Sequence, residues 1–207
     1  TIALEMKFPA GVFSYRAFRD EVNITLNVKL ALEGMYNTFT NKLSKKDTVT
    51  VYVRNSSSPY SIVDSQKTTV DSVTMNANCR LYNAAAGTYY ISVKHRNGLE
   101  TWSKAGGETF VSNGVYNYDF RSSASMAFGN NLILKGTKYC IISGDVNQDG
   151  TIDASDLSQT ENDAFNGLSG YVNTDVTGDD FVDAADISVV ANNAAMGVSV
   201  VIPWFGN

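Results

Sequence analysis

Two acidic stretches of fifteen residues lie thirty residues apart near the end of the chain. GDVNQDGTIDASDLS begins at Gly144 and TDVTGDDFVDAADIS begins at Thr174, and seven of the fifteen aligned positions are identical, four of them aspartates. Carboxylates that recur at every second position are oxygen donors of the kind that a hard divalent cation requires. The repeat therefore predicts two metal-binding loops.

Calcium takes six to eight oxygen ligands, supplied in a twelve-residue loop by positions 1, 3, 5, 7, 9 and 12. Thr177 is a weaker ligand than Asp or Asn, so the second site is expected either to bind less tightly or to use a water molecule. Two calcium ions are predicted, and their ligands are Asp145, Asn147, Asp149, Thr151 through its carbonyl oxygen, Asp153 and Asp156 in the first loop, and Asp175, Thr177, Asp179, Phe181 through its carbonyl oxygen, Asp183 and Asp186 in the second.

Positions 6 and 8 of each loop also make predictions. Gly150 stands at position 6, where the chain turns sharply with positive φ. Asp180 replaces that glycine in the second loop, and Asp visits the left-handed region more readily than most residues. Ile152 and Val182, at position 8, are expected to pair across the two loops.

An amphipathic helix is predicted after each loop, over residues 156–165 and 186–196. With their D-x-N-x-D-G-x-I-D-x-x-D loop, closing Asp and following helix, residues 144–200 resemble the dockerin modules of extracellular bacterial assemblies. Before the first loop stands KYCIISG, which predicts a strand and a turn, and dockerins are similar in lacking an entering helix. The resemblance implies calcium binding, an extracellular location and a cohesin domain as partner. In that family positions 10 and 11 help to choose the partner, and here they are Ala154, Ser155, Ala184 and Ala185.

Charge divides the chain sharply. Residues 1–140 contain ten acidic and sixteen basic side chains, whereas residues 141–207 contain eleven acidic and no basic ones. A segment with so many carboxylates repels itself unless cations neutralise it, and unlike parts attract within one chain or between chains. We therefore predict an N-terminal extension over residues 1–22, a β-domain over 23–140 and a calcium-binding module with an apolar tail over 141–207.

Period-two alternation dominates the middle of the chain. NITLNVKLAL from Asn23 and residues 47–54 alternate apolar and polar side chains, and residues 88–96 and 99–103 flank Asn97-Gly98, a strong hairpin signal. Shorter strands are predicted at residues 60–63, 69–73, 78–82, 108–111 and 115–120. The predicted fold is mainly β, an antiparallel β-sandwich followed by a small α-helical module with EF-hand-type loops. The β-domain loosely resembles immunoglobulin-like or fibronectin-like modules of secreted bacterial proteins.

No catalytic motif is present, so we predict that the chain is not an enzyme. His95 is the only histidine, and any Ser-His-Asp or Cys-His chemistry would depend on it. Trp102, Tyr116 and Tyr118 are expected either in the core or, in a carbohydrate-binding module, exposed for stacking on sugars. A net charge of −5 with scattered bases argues against nucleic-acid binding.

Two further features bear on the compartment. Cys79 and Cys140 would form a disulfide in an oxidising compartment or remain as buried thiols in a reducing one. No apolar run approaches the ~20 residues that a membrane-spanning helix needs.

The chain begins with TIALEMKF, from Thr1 to Phe8, whose residues alternate strictly before Pro9. This segment is either the first strand of its own sheet or a strand donated to a second copy of the chain. A donated strand produces an open, head-to-tail polymer. The sequence thus predicts an extracellular, calcium-stabilised, non-enzymatic structural protein that self-assembles into filaments or a cell-surface array. The alternatives are a dockerin-type anchor that binds a cohesin and a carbohydrate-binding module.

Overall fold

The structure is a computed structural model that describes residues 24–203. The strand predicted from Thr1 to Phe8 therefore lies outside the described residues. The elements are β1 (Ile24–Lys29), β2 (Tyr36–Asn37), β3 (Lys42–Leu43), β4 (Asp47–Asn55), β5 (Ile62–Val70), β6 (Asn76–Leu81), β7 (Gly87–His95), β8 (Gly98–Trp102), β9 (Glu108–Phe110), β10 (Val115–Asp119), β11 (Ile133–Lys135), β12 (Lys138–Cys140), α1 (Ala154–Phe165) and α2 (Ala184–Met196).

The fold is mainly β, as the sequence predicts. Eight strands form one sheet in the order β10-β1-β6-β5-β4-β7-β8, with β9 also paired to β7. Alternate residues of β4 (Val49, Val51 and Val53) are buried, while the residues between them are only partly covered. This alternation, visible in the sequence, places one face of the strand on the core because successive side chains of a strand point to opposite faces.

The pairing differs from the predicted wholly antiparallel arrangement at one edge. β10 pairs with β1 in parallel, and Leu26 stands opposite Tyr116, whereas β6 on the other side of β1 is antiparallel. A parallel pair requires a long crossover, and 85 residues separate the end of β1 from the start of β10. Apolar alternation reports which face a strand buries, but it does not report the direction of its neighbour.

The bounds of β5 differ from those predicted from the sequence. The sequence predicts separate strands at residues 60–63 and 69–73, whereas β5 is continuous over Ile62–Val70 and pairs with β4 along most of its length. Its middle residues, DSQKT, are polar and give no apolar period. Backbone pairing to β4, not side-chain pattern, therefore keeps this stretch extended.

Both helices begin two residues earlier than predicted, at Ala154 and Ala184. In α1 the carboxylate of Asp153 accepts a hydrogen bond from the Ser155 N–H, and the Asp156 side chain accepts from the Asp153 N–H in return. The same reciprocal capping joins Asp183 and Asp186 in α2. Asp at the N-cap satisfies helix N–H groups that otherwise lack partners, so each acidic loop also starts its helix.

Both cysteines are free and buried. Burial raises the pKa of the Cys79 thiol and of the Cys140 thiol to about 12. Of the two states left open by the sequence, the structure has the buried thiols. In the part of the chain that the structure describes, no helix has the length and apolar character needed to cross a membrane.

The loops and helices of residues 144–203, here called the loop–helix segment, pack directly on residues 24–143, here called the β-part. All four residues of the connection 140–143 are buried, and Ile141 and Ser143 form isolated bridges with Leu32 and Gly98 of the β-part. A small apolar core joins the two parts, and its buried members are Leu99, Ile142, Val146, Ile152, Val176 and Val190. Val146 and Val176 occupy position 2 of their loops, which explains why the repeat keeps a valine there.

Candidate calcium centres and their junction with the sheet

The second loop brings three predicted ligands together. Oxygen atoms of Asp175, Asp179 and Asp186 all lie within 4.8 Å of one another. Asp175 and Asp186 are buried, so these carboxylates sit where their negative charges repel strongly. Thr177, another side-chain ligand predicted here, has a buried hydroxyl with no hydrogen-bond partner among the described residues. Converging oxygens with an unpartnered hydroxyl fit a hard cation such as calcium.

The first loop is more open. Within the described residues it does not bring three acidic side chains as close together as the second loop does. Asp145 is nonetheless buried, and its Oδ1 has no hydrogen-bond partner within residues 24–203. Burial, together with the nearby charges of Asp156 and Asp149, raises the pKa of Asp145 to about 6. An unpartnered carboxylate oxygen that faces other carboxylates also fits a cation.

The closing aspartates hold their loops by backbone hydrogen bonds. Asp156 Oδ1 accepts from the Val146 N–H at 2.8 Å, and its Oδ2 accepts from the Asp153 N–H at 3.0 Å. Asp186 repeats this arrangement with the N–H groups of Thr177 and Asp183. Asp156 Oδ1 also accepts from the Asn147 N–H at 3.2 Å, so in the first loop the further lone pair is on Oδ2, while each Asp186 oxygen accepts one of these hydrogen bonds and has a further lone pair for a metal.

The remaining predicted ligands are exposed or partly exposed to solvent. Asn147 donates to Asp149 Oδ2 at 3.1 Å, so these two side chains meet. Asp153 and Asp183 use one oxygen each to cap a helix. Thr151 and Phe181, predicted to bind through their carbonyl oxygens, form isolated bridges with Ser199 and Ser169.

Position 6 of each loop has the predicted backbone. Gly150 has φ of 91°, and Asp180, which replaces the glycine in the second loop, has φ of 72°. The prediction that Asp tolerates the left-handed region at this turn is confirmed. The residue at position 4, Gln148 or Gly178, is also left-handed.

The apolar contact predicted between Ile152 and Val182 stays a prediction, whereas the backbone partners of both residues are defined. The Ile152 N–H donates to the carbonyl of Val198 at 2.9 Å, and the Val182 N–H donates to the carbonyl of Leu168 at 3.0 Å. Each loop is thus closed by the chain that follows a helix instead of by the other loop. The repeated sequence shows the two apolar positions but not these partners.

The turn between β7 and β8 holds the chain that enters the second loop. Asn97 donates through Nδ2 to the carbonyls of Asn173 and Asp175, each at 2.9 Å. Arg96 donates to the carbonyls of Val172 and Asp175. The predicted Asn97-Gly98 hairpin is confirmed, but its side chains bind the loop–helix segment, a role that the sequence did not indicate.

Asp47 lies at the centre of this contact. His95 Nε2 lies 3.1 Å from its Oδ2, Arg96 Nε donates to the same oxygen at 3.2 Å, and the Tyr171 hydroxyl donates to Oδ1 at 2.5 Å. Burial alone would raise the pKa of Asp47, but the hydrogen bonds from His95 and Tyr171 and the charge of His95 hold it well below its usual range. His95 is buried, and its Nδ1 has no hydrogen-bond partner among the described residues. The single histidine thus packs within a structural ion pair.

A second contact comes from the residues between β3 and β4. The Ser44 hydroxyl donates to the Thr177 carbonyl at 2.7 Å. Lys45 forms ion pairs with Asp180 and, at 3.9 Å, with Asp175. The charge partition predicted attraction between the basic β-part and the acidic loop–helix segment. In the structure the ion pairs of Lys45 join these two parts within one chain. Lys45 and Arg96 were not predicted, because the charge partition indicates that the two parts attract but does not select the residues that meet.

The aromatic side chains considered for sugar stacking are not exposed. Trp102 and Tyr118 are buried, and Tyr116 is partly buried and packs on the core. Arg54 lies over the Trp102 ring, 4.7 Å from its centroid. These three residues therefore do not form an open platform for carbohydrate, which corrects that interpretation.

Large apolar side chains are exposed on both parts, with Phe39 of the β-part at 96%, and several lie on the loop–helix segment. Phe165 at the end of α1 is 90% exposed, Phe181 in the second loop 63% and Met196 at the end of α2 55%. Apolar side chains of this size on a surface are typical of contact sites, although single ones are common on any protein.

No protein-family model matches the chain, and no curated protein matches it. Two solved structures are similar to it over 83% of this chain and 94% of theirs, each with a TM-score of 0.44. Both are chains of a type II Cohesin-X-Dockerin complex from Acetivibrio cellulolyticus, described as an N-terminal interface mutant at 15% identity and a C-terminal interface mutant at 14%. We assign no family from this likeness.

Proposed function

We propose that the chain is an extracellular, non-enzymatic assembly protein whose residues 144–200 form a dockerin-like module that binds two calcium ions. The observation that supports this most directly is the convergence of Asp175, Asp179 and Asp186, whose oxygens lie within 4.8 Å. Aspartates recur at the same positions in the first loop, where a buried oxygen of Asp145 has no hydrogen-bond partner in the described part of the chain. Neighbouring carboxylates of this kind repel one another, and a bound cation relieves that repulsion.

The bound ions would supply charge neutralisation and cross-linking of the loops, not catalysis. Six positions in each loop would hold them, as the sequence predicts. Because the same aspartates cap α1 and α2, ion binding and helix formation would be coupled.

Calorimetric titration of the full chain with calcium tests this proposal, together with thermal unfolding in calcium and in EDTA. We expect uptake of two ions and a lower melting temperature in EDTA, because an ion that binds only the folded state stabilises it. The absence of calcium uptake, or an unchanged melting temperature in EDTA, would contradict the proposal.

A partner that docks on the loop–helix segment is favoured by the exposed side chains of Phe165, Phe181 and Met196. With the dockerin-like sequence of this segment, they favour a cohesin domain as that partner. Self-assembly by a strand from Thr1 to Phe8 is the other candidate.

Size-exclusion chromatography with light scattering distinguishes these partners. A monomer that binds a member of a panel of cohesin domains only in calcium would support docking. High-mass polymers of the chain alone, abolished by deletion of residues 1–8, would support self-assembly instead. A monomer that binds no cohesin in the panel, in calcium or in EDTA, would count against docking.

A further inference from the structure

The two calcium loops differ in what surrounds their first ligand. The Asp175 side chain is fully buried, at 0% exposed, yet its Oδ2 lies 3.6 Å from Arg96 Nη2 and 3.9 Å from Lys45 Nζ. Its carboxylate also accepts hydrogen bonds from the Gly178 and Asp179 N–H groups. A buried charge is tolerated when it is paired and hydrogen-bonded in this way.

Both cations lie on the β-part and have defined neighbours there or in the loop–helix segment. Arg96 is only 9% exposed, it pairs with Asp47, and its guanidinium lies 4.6 Å from the centroid of the Tyr171 ring. Lys45 follows Ser44, whose N–H donates to the Met35 carbonyl at 2.8 Å and whose hydroxyl donates to the second loop. The Arg96 charge is therefore fixed by its contacts, and the chain at Lys45 is held next to the second loop by its neighbour Ser44.

The first loop has no such partner. Within residues 24–203, Asp145, Asp149, Asp153 and Asp156 form no ion pair with a basic side chain. Lys94 is near enough to oppose the rise in the pKa of Asp145, but it does not reach ion-pair distance. The carboxylates of this loop therefore face one another with little compensation.

We infer that Lys45 and Arg96 act as built-in counter-charges for the second loop, which hold it in shape without calcium and weaken its affinity for the ion. The first loop, by contrast, depends on calcium for its shape and binds it more tightly. This inference rests on the proposed calcium binding. The physical reason is that a fixed cation beside a carboxylate stabilises the empty loop and repels an arriving cation.

The expected change in calcium affinity follows from the exposure of the Lys45 side chain. Lys45 is 25% exposed, so solvent screens its charge and its effect is that of a surface ion pair. Removal of this charge is expected to change calcium affinity by about fivefold. Arg96 also anchors the chain before the second loop, so Lys45 is the better residue to change.

The experiment measures calcium affinity one loop at a time in the full chain. An Asp145→Asn background disables the first loop, and an Asp175→Asn background disables the second. We expect Lys45→Gln to raise calcium affinity about fivefold in the first background and to leave it unchanged in the second. In EDTA, with both loops intact, Lys45→Gln should lower the melting temperature.

Lys46→Gln is the matched control, because Lys46 is the next residue and forms no ion pair with either loop in the described part of the chain. Lys45→Arg, which keeps the charge, should behave like the wild type. Circular dichroism in saturating calcium verifies that each variant folds. If Lys45→Gln matched Lys46→Gln in both measurements, or raised affinity equally in both backgrounds, the inference would be wrong. A wild-type chain that took up no calcium would instead overturn the proposed function itself.

Discussion

Asn193 of α2 donates a hydrogen bond of 2.6 Å to Glu33 of the β-part, 160 positions away in the sequence. Asn193 also donates to the carbonyl of Ser143 at 2.7 Å, and the Ser143 N–H donates to the same oxygen of Glu33 at 3.1 Å. Three separate segments of the chain therefore meet at one carboxylate. Polar groups with defined partners, as well as apolar packing, specify how α2 lies against the sheet.

Glu33 should make stability depend on pH. Burial raises the pKa of Glu33, although the hydrogen bonds from Ser143 and Asn193 oppose the rise. A carboxyl whose pKa is raised on folding contributes stability below its ordinary pKa, and that contribution is lost as pH rises through the raised value. Glu33→Gln should therefore gain stability relative to the wild type between acidic and neutral pH, as measured by urea unfolding in saturating calcium. In the exposed control Glu161→Gln the stability difference from the wild type should not rise with pH in this way. If the stability of Glu33→Gln and of the wild type changed in parallel with pH, the expectation would be contradicted.

Asp47→Asn should weaken the junction by about 3 kcal/mol, because the buried His95 loses its carboxylate partner and Arg96 keeps only its longer ion pair with Asp175. The pKa of Asp47 is lowered on folding, so its contribution is present above the ordinary pKa and is lost as pH falls through the folded value. The difference between variant and wild type in urea unfolding should thus shrink in acid. Asp71→Asn, at an exposed turn, should lower the free energy of unfolding by less. An equal decrease in both variants would argue against a special role for Asp47.

Gly34→Ala should disturb the contact between the β-part and the second loop. A Cβ at Gly34 would lie 2.2 Å from the carbonyl oxygen of Val176, which is backbone and has little room to move. We expect faster hydrogen exchange in α2 and a lower melting temperature. At Gly87 the nearest atoms to a Cβ belong to the Tyr89 side chain at 3.2 Å, so Gly87→Ala is the control. Equal exchange in the two variants would contradict the expected clash.

Asp186→Asn should reduce calcium uptake from two ions to one. Asp186 contributes to the cluster of three carboxylates and also accepts from the Thr177 and Asp183 N–H groups. An amide oxygen can keep only part of this arrangement and has no charge to offer the ion. Glu161→Gln removes one charge from an exposed part of the same segment and should leave two ions bound by calorimetry. Unchanged uptake in Asp186→Asn would exclude the residue as a ligand.

Local features of this chain were predictable because they depend on neighbours in the sequence. The alternation in β4, the hairpin at Asn97-Gly98 and the helices after each acidic loop all follow from short-range patterns. The left-handed Asp180 follows from its place in the loop. Each of these is decided by the backbone preferences of a few adjacent residues.

Long-range contacts were not predictable in the same way. The parallel pairing of β1 with β10, and the contacts of Lys45 and Arg96 with the second loop, join residues far apart in the chain. Charge partition indicated that unlike parts attract, but charge attraction has no direction and does not select a partner. The same limit applies to Ile152 and Val182, whose burial was expected but whose backbone partners were not.

The buried connection at residues 140–143 also has a mechanical consequence. Ile141 and Ser143 are each bridged to the β-part, and Leu99 donates its N–H to the Ile142 carbonyl, so this stretch offers no free hinge. A force applied to α1 or α2 would be transmitted directly to the sheet, because the connection is not a flexible linker. A partner bound to the helices would therefore be held in one orientation relative to the strands.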